Sequence, residues 1–585
     1  MTGEINRNIA REGHHATLTA LAGFRQDRIM TTCTAPEHEK RLLAELQRDT
    51  PDSFGAMFLR RATRTPAEVA YRSPGPGGEW LPHTWAQTAE AVREIAAGLI
   101  ARGLRPEERV AIAATTSVTW IQADFGVMCA GGATTTVYPS SSPEEVGHIL
   151  TDSGSRFAFA EDAAQRDKVA PYVEEVFLFT ELDGLRATGR AALQDDPDLV
   201  DRTTAAVRPD RLATLIYTSG TTGKPKGVRI DHGAWVYQGL AIQAMGIVRP
   251  DDVGYLWLPL SHAFGKALLA CQISVGFGFA VDGDTSRIVD RLAEIRPTIM
   301  PAVPRIFEKV YAGVHAQVGG GLKGRLFDLA VRAGHRNPLA DVLLAKVRAR
   351  FGGRMRYFIS GASALDPGIA TWFGRLGLPI AEGYGLTESC ATTIFNRPED
   401  PEYGTVGRPL PGTDVKIAED GEVLLRGPGM MSGYHGLDSI FVDGWLPTGD
   451  IGEITARGSL KITDRKKDLI KTSNGKYVAP AAIEARFKAL CPLVGQILVH
   501  GDKRKYATAL IDLDEGVTRT PEVEAEIERC VQELNAGLNP WETIKKYVII
   551  DEHLDVDSGL LTPSMKLRRR AVEDRYRSRL DALYA

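Results

Sequence analysis

The sequence predicts an α/β protein, a large multi-layer N-terminal domain with a β-rich subdomain followed by a small α+β C-terminal domain. Three observations carry this reading. Short β-branched apolar runs alternate with helical stretches through the first four hundred residues, the βα rhythm of a helix-covered sheet. Glycine and proline then become frequent, and closely spaced short strands replace the alternation over 402–434. After KITDRKKDLIKTSNGKYVAP the pattern changes again, to helix, two strands, a long helix and a strand. A chain of 585 residues exceeds one ordinary core, and 43% hydrophobic content supplies material for more.

In chain order, residues 1–45 read as a polar extension whose clearest helical segment is EHEKRLLAELQRD. Segments 53–66 and 84–104 carry apolar residues at helical spacing, RVAIAAT at 109–115 reads as a strand, and Trp120 to Cys129 as a buried helix. Further strands are expected at Arg156–Ala160, Val176–Thr180, Ala213–Tyr217, Gly254–Leu258 and Thr298–Ala302, with helices near 286–295, 303–317, 322–333 and 338–351. These make one large sheet under helices, the domain running over 46–463. DVKIAE and EVLLRG, parted by Asp420-Gly421, read as antiparallel strands of a β-rich subdomain at about 402–463. A boundary follows at 464–468. The last module, 469–585, carries helices at 481–490 and 521–537 and strands near 495–500, 506–512 and 544–550.

Basic and acidic residues number 70 and 74, which gives no support for non-specific nucleic-acid binding. The six cysteines are scattered without a C-x-x-C pair, so a metal cluster is not expected and a reducing cytoplasm is the simpler setting. The N-terminus lacks an apolar signal-peptide core, and no run is long enough to span a bilayer. Peripheral membrane contact stays open.

The strand Ala213–Tyr217 runs into Thr218, Ser219, Gly220, Thr221, Thr222, Gly223, Lys224 and on to Pro225-Lys226-Gly227. Glycines let main-chain N–H groups converge on an anion, hydroxyls add donors, and lysines oppose a triphosphate. The loop differs from the nucleotide-binding pattern that ends in Gly-Lys-Ser/Thr, because Pro225 follows Lys224 and the hydroxyl that would hold magnesium is missing. AEGYGLTESC, 381–390, offers that ligand as Glu388, beside Thr387 as a phosphate donor and Tyr384, which can stack on a planar base that Gly385 lets approach.

TSGTTGKPKG resembles the signature loop of the adenylate-forming superfamily, which includes acyl-CoA synthetases, luciferases and the adenylation domains of peptide synthetases. The resemblance implies ATP-dependent activation of a carboxylate as acyl-AMP with loss of pyrophosphate. It places Glu388 on ATP-bound magnesium, Tyr384 and Gly385 at adenine, and Gly361, Ala362 and Ser363 of SGASAL between adenine and acyl pocket. Asp450, in WLPTGDIG, can accept from both ribose hydroxyls, as the family's aspartate does. Arg465 of DRKKD goes to ribose by resemblance, and Lys467 becomes the hinge on which a mobile C-terminal domain pivots. Lys566, in LTPSMKLRRR, is the family's catalytic lysine, an ammonium bridging two anions in the transition state. Met565 departs from a glycine common there. His262 and Val303 are assigned to the acyl pocket, and Lys266 stands where some fatty-acyl enzymes carry a tryptophan gate.

KTSNGKYVAP resembles long-chain fatty-acyl-CoA synthetases, which implies ATP, Mg2+ and coenzyme A and a medium- or long-chain fatty acid as substrate. Lys466, Lys467, Lys476, Arg504 and Lys505 are candidates for a basic approach to coenzyme A. A bulky polycyclic or branched acid, or a separate carrier protein as acceptor, is the alternative within this chemistry. A kinase releasing ADP and a non-catalytic nucleotide-responsive interaction module are the alternatives outside it.

Overall fold

A computed structural model describes residues 32–218, 224–319, 321–361, 363–555, 558–562 and 566–585. Two large sheets, rather than the single one expected, organise the N-terminal domain. One has seven strands, in the order Gly433–Tyr434, Lys226–Asp231, Leu212–Thr218, Ala133–Val137, Arg109–Ala113, Phe157–Ala160 and Glu175–Leu178. The other has nine, its parallel centre formed by Ile380–Tyr384, Tyr357–Ser360, Ile299–Ala302, Val253–Leu256 and Gly278–Val281. The strands near 109–115, 156–160, 176–180, 213–217, 254–258 and 298–302 are those the apolar runs predict, whereas Ala133–Val137, Lys226–Asp231 and Gly278–Val281 are not among them; sheet membership depends on which runs pair across long separations, and local periodicity carries no such information.

The reason for two layers is visible in the helices between them. Val118–Cys129, His232–Ala244 and Ala263–Val275 are buried nearly all round, as helices packed on both sides must be. Helix Phe54–Arg64 packs beside them, Phe54 stacking on Trp235 and Phe58 on Phe125, with Trp85 tilted against Phe58. The β-rich subdomain is a five-stranded antiparallel sheet built from Asp414–Ile417, Glu422–Arg426, Leu446–Ile454 and Leu460–Arg465, with Thr32–Cys33 added at its edge. The expected strands DVKIAE and EVLLRG pair antiparallel in it.

Beyond Arg465 the chain turns over 466–468 and enters a small α+β domain. Its three-stranded sheet, Val494–His500, Ala507–Leu513 and Ile544–Ile550, is packed against helices Pro480–Leu490 and Pro521–Ala536 around a separate apolar cluster. Two arginine bridges join it to the large domain. Arg305 reaches Asp514 at 2.6 Å, and Arg568 reaches Glu145 at 3.0 Å. No helix among the described residues is long and apolar enough to cross a membrane.

Candidate active site

The strands flanking the glycine-rich loop pair antiparallel, with Thr218 opposite Lys226. Ser219, Gly220, Thr221, Thr222 and Gly223 lie outside the described residues; Lys224 is exposed. His148 Nε2 donates to the Pro225 carbonyl at 2.9 Å. Lys226 sits 5.3 Å from the ring centre of Tyr434, whose hydroxyl donates to Glu388 Oε1 at 2.7 Å. The strand that follows the loop is thereby tied to the candidate metal ligand through Tyr434, a link no motif marks.

Glu388 and the buried Thr387 form one tight turn with Ser389. Two non-glycine residues with positive φ follow, Cys390 at 57° and Ala391 at 73°. A left-handed pair costs on the order of 1–3 kcal/mol per residue and persists only where surrounding contacts impose it. Here the reversal carries the Ala391 carbonyl over Gly385, so close that a Cβ on Gly385 would lie 1.9 Å from that oxygen. Gly385 is required by the turn that presents Tyr384, Thr387 and Glu388 together.

Asp450 and Arg465 face each other across adjacent strands. Arg465 Nε donates to Asp450 Oδ1 at 2.9 Å, and the Tyr384 hydroxyl donates to Asp450 Oδ2 at 2.7 Å. Asp450 is 3% exposed whereas Arg465 is half exposed. Burial, with the Asp450 charge next, raises the Tyr384 pKa well above its ordinary value. Three residues expected at adenine and ribose are thus joined, and Lys466 next to them is anchored to Asp420 and Glu422 at 2.6 and 2.8 Å. Of the candidates for a basic approach, Lys476 lies 5.0 Å from the Trp541 ring and Arg504 pairs with Asp581, while the Ser473 N–H donates to the Arg504 carbonyl at 2.8 Å.

Lys566 enters this group from the small domain. Its side chain opens to the cleft, yet the surrounding protein lowers its pKa to about 8, with Arg465 adding to the fall and Asp450 and Glu388 opposing it. Its backbone is held locally, N–H to Thr562 Oγ1 at 3.0 Å. Ammonium, two carboxylates and guanidinium therefore share one field, the arrangement needed to hold a polyanion and offset charge building on it. Glu388 fits a magnesium ion that takes one carboxylate and otherwise phosphate and water oxygens; among the described residues no cluster of three or more His, Cys, Asp or Glu could cage a metal.

On the other side of Lys566, His262 caps helix Ala263–Val275, its Nδ1 accepting the Phe264 N–H at 3.1 Å. That bond leaves the proton on Nε2, and burial pushes the imidazole down to about 4. One face of the same helix, Phe264, Ala267, Leu268 and Cys271, walls a small apolar cavity, closed opposite by Ile299 and Ile359. Gly361 lies at its edge, where a Cβ would stand 3.2 Å from the Phe264 ring. Ala362 lies outside the described residues, and Ser363 is exposed. His262 and Val303 do not line the cavity; Val303 instead caps helix Pro304–Val318.

Lys266 points away from the cavity. It is fully buried against Asp124, Nζ lying 2.8 and 2.9 Å from its two oxygens, between the rings of Trp120 and Trp235, each 5.6 Å away. The residue at the expected gate position is part of the core, because helical geometry turns it to the face opposite Ala267 and Leu268.

An AMP-binding enzyme family model matches residues 58–435, and an AMP-binding enzyme C-terminal domain model matches 467–585. The chain is 33% identical to the long-chain-fatty-acid–CoA ligase FadD15 of Mycobacterium bovis, covering 91% of this chain and 97% of that one. It is 28% identical to human long-chain-fatty-acid–CoA ligase 1, with 88% and 84% covered. Among solved structures, the adenylation domain of a Mycobacterium chelonae carboxylate reductase superposes with a TM-score of 0.73 at 22% identity, covering 98% and 97%. The Bacillus subtilis O-succinylbenzoate coenzyme A synthetase in complex with AMP gives 0.67 at 23%, covering 90% and 98%.

Proposed function

Because the chain belongs to the AMP-binding enzyme family, we propose that it is an AMP-forming ligase joining a medium- or long-chain fatty acid to coenzyme A through an acyl-adenylate. The carboxylate oxygen attacks the α-phosphorus of ATP, the bond to pyrophosphate breaks, and the CoA sulfur then takes the acyl group as AMP leaves. The observation that carries this reading is that Lys566 shares one electrostatic field with Arg465, Asp450 and Glu388 and also acts on His262, which begins the helix that walls the apolar cavity.

In this reading Thr218 to Lys224 cradle the β- and γ-phosphates, and Thr387 donates to the α-phosphate. Glu388 holds Mg2+, which neutralises triphosphate charge when bound. Asp450, kept in place by Tyr384 and Arg465, accepts from ribose. Lys566 offsets charge as the carboxylate meets the α-phosphate. His262, neutral with its proton on Nε2, offers a donor where the acid's head group enters. The small domain, 469–585, turns about Lys467 to exchange Lys566 for the coenzyme A approach. The cavity wall Phe264, Ala267, Leu268 and Cys271 favours an apolar acyl chain, since it offers no charge to a polar one. Free buried cysteines agree with a cytoplasmic setting.

The test is competitive turnover of straight-chain acids from C4 to C18 beside bulky cyclic acids, with ATP, Mg2+ and CoA. AMP, pyrophosphate and acyl-CoA are expected, with kcat/KM rising roughly fourfold per methylene until the cavity is filled. ADP as product, preference for a cyclic acid, or transfer only to a holo-carrier protein would each overturn the corresponding part of the reading.

A further inference from the structure

Helices Gly321–Ala333 and Pro338–Ala349 form a hairpin, and each carries a stripe of exposed apolar side chains. Leu322, Leu326 and Leu329, four and three residues apart, stand 75%, 52% and 63% exposed; Leu339, Val342 and Leu343 stand 85%, 68% and 46% exposed. These are six of the fourteen large hydrophobics exposed among the described residues, gathered within 22 positions. Each helix already has a buried face: Ala330 and Val331 in the first, Ala340, Leu344 and Val347 in the second. Phe327, on the inner side of the first, packs against His315 and Trp372 at 6.3 and 6.5 Å between ring centres. The leucine stripes are therefore not displaced core faces, and a patch of this kind marks a contact surface.

The charge around it says what covers it. From Lys323 to Arg350 the chain carries seven Lys or Arg and two acidic residues, in a protein whose totals are 70 and 74. One of the two acids, Asp341, is taken by Arg348 at 2.7 Å. Lys323, Arg325, Arg332, Arg336, Lys346 and Arg350 are exposed, and Lys346 and Arg350 follow Leu339 and Leu343 along the same helical stripe. A second copy of this face would set cations against cations, which disfavours a two-fold contact. Leucines that can enter an acyl layer beneath long basic side chains that stay at the headgroups are the physical form of an interfacial helix.

We propose that the 321–350 hairpin is a docking face for an anionic lipid bilayer, seating its six apolar side chains below the headgroups while the basic residues pair with lipid phosphates. This places on a surface remote in sequence from every candidate catalytic residue a function that adenylation does not require.

The test is sedimentation of the full chain with vesicles of phosphatidylglycerol and phosphatidylcholine, against phosphatidylcholine alone, without ATP, acid or CoA. Binding to the anionic vesicles is expected to be at least tenfold the stronger and to weaken as salt is raised. Leu326→Gln, Leu339→Gln and Leu343→Gln together should reduce it at least tenfold; Lys323→Gln, Arg325→Gln and Lys346→Gln together should abolish the anionic preference. Both variants should keep the wild-type melting temperature and turnover of a water-soluble acid. Should the leucine variant misfold, the charge variant decides alone. Equal binding by wild type and charge variant, no binding to either vesicle, or a wild-type dimer that the variants dissolve while vesicle binding persists would overturn the proposal.

Discussion

Replacing Lys266 separates two accounts of acyl selectivity, one in which this position gates the pocket and one in which it belongs to the core. Lys266→Met keeps the length of the stem but leaves Asp124 in a dry site with only the Thr134 hydroxyl, at 2.7 Å, as a partner. Removing one member of a buried pair costs roughly 3–5 kcal/mol, while replacing both by apolar residues is often nearly neutral. Lys266→Met should therefore lose about 3–5 kcal/mol, and Lys266→Met with Asp124→Leu should recover about 2 kcal/mol or more, a coupling that a double-mutant cycle reads directly. Denaturation followed by circular dichroism gives the stabilities; kcat/KM across straight-chain acids gives selectivity. The double variant should keep the wild-type chain-length optimum, because Phe264, Ala267, Leu268 and Cys271 present the opposite face of the helix to the cavity. Ala267→Phe, which fills the cavity, should shorten the preferred acid. A Lys266→Met protein as stable as wild type, with its optimum moved by two or more methylenes, would refute the core assignment and restore the gate.

Other outcomes follow from single features of the site. Lys566→Ala should slow adenylate formation at least a hundredfold while thiolysis of preformed acyl-adenylate by CoA stays within a few fold; equal loss in both would remove the two-step assignment. With the Lys566 ammonium lowered to about 8, the charged form prevails below that pH, so kcat/KM for adenylation should fall as pH rises through about 8. Lys566→Arg should lack that descending limb, and its persistence would assign the limb to another group. Glu382 is held up to about 8 by burial, so the folded chain keeps a proton that the unfolded chain releases near 4.5. The stability tied to that proton is complete below about 4.5 and lost as pH rises toward 8, by a few kcal/mol at most. Glu382→Gln should melt above wild type by a margin that widens from pH 5 to pH 8, and a constant margin would count against it. Gly385→Ala must push back the Ala391 carbonyl and should weaken AMP binding at least tenfold, measured by calorimetry.

The elements were legible where one period ran long enough. Pro521–Ala536 and Ile544–Ile550 are the helix and strand that apolar spacing had marked, within a residue or two. The stretch 256–266 is harder to read: the strand expected to reach Leu258 stops at Leu256, and His262 begins a helix that the sequence does not predict. Both sides of that helix are buried, so its apolar residues show no period to separate it from a strand. The site divides in the same way. Residue types at Tyr384, Asp450 and Arg465 suggest nucleotide chemistry singly, but their mutual bonds depend on strand register, which places Asp450 opposite Arg465. Tyr434 bore no mark at all: its role in fixing Glu388 comes from the short strand Gly433–Tyr434 pairing with the strand that follows the loop. The Lys266–Asp124 pair escaped for a related reason, since a lone lysine in an apolar stretch gives no hint of a carboxylate 142 positions away.

The two arginine bridges between the domains, Arg305 to Asp514 and Arg568 to Glu145, are each about a quarter to a third exposed. Pairs so wetted are worth roughly 0–1 kcal/mol apiece and are screened over about 8 Å at physiological ionic strength and 3 Å at 1 M. The ionic part of the contact that aims Lys566 at the cleft is thus one that dissolved ions erode, while burial shields the core of each domain from such screening. On the proposed rotation of the small domain, concentrated salt should slow adenylate formation before it slows thiolysis of preformed adenylate, leaving the intermediate scarce.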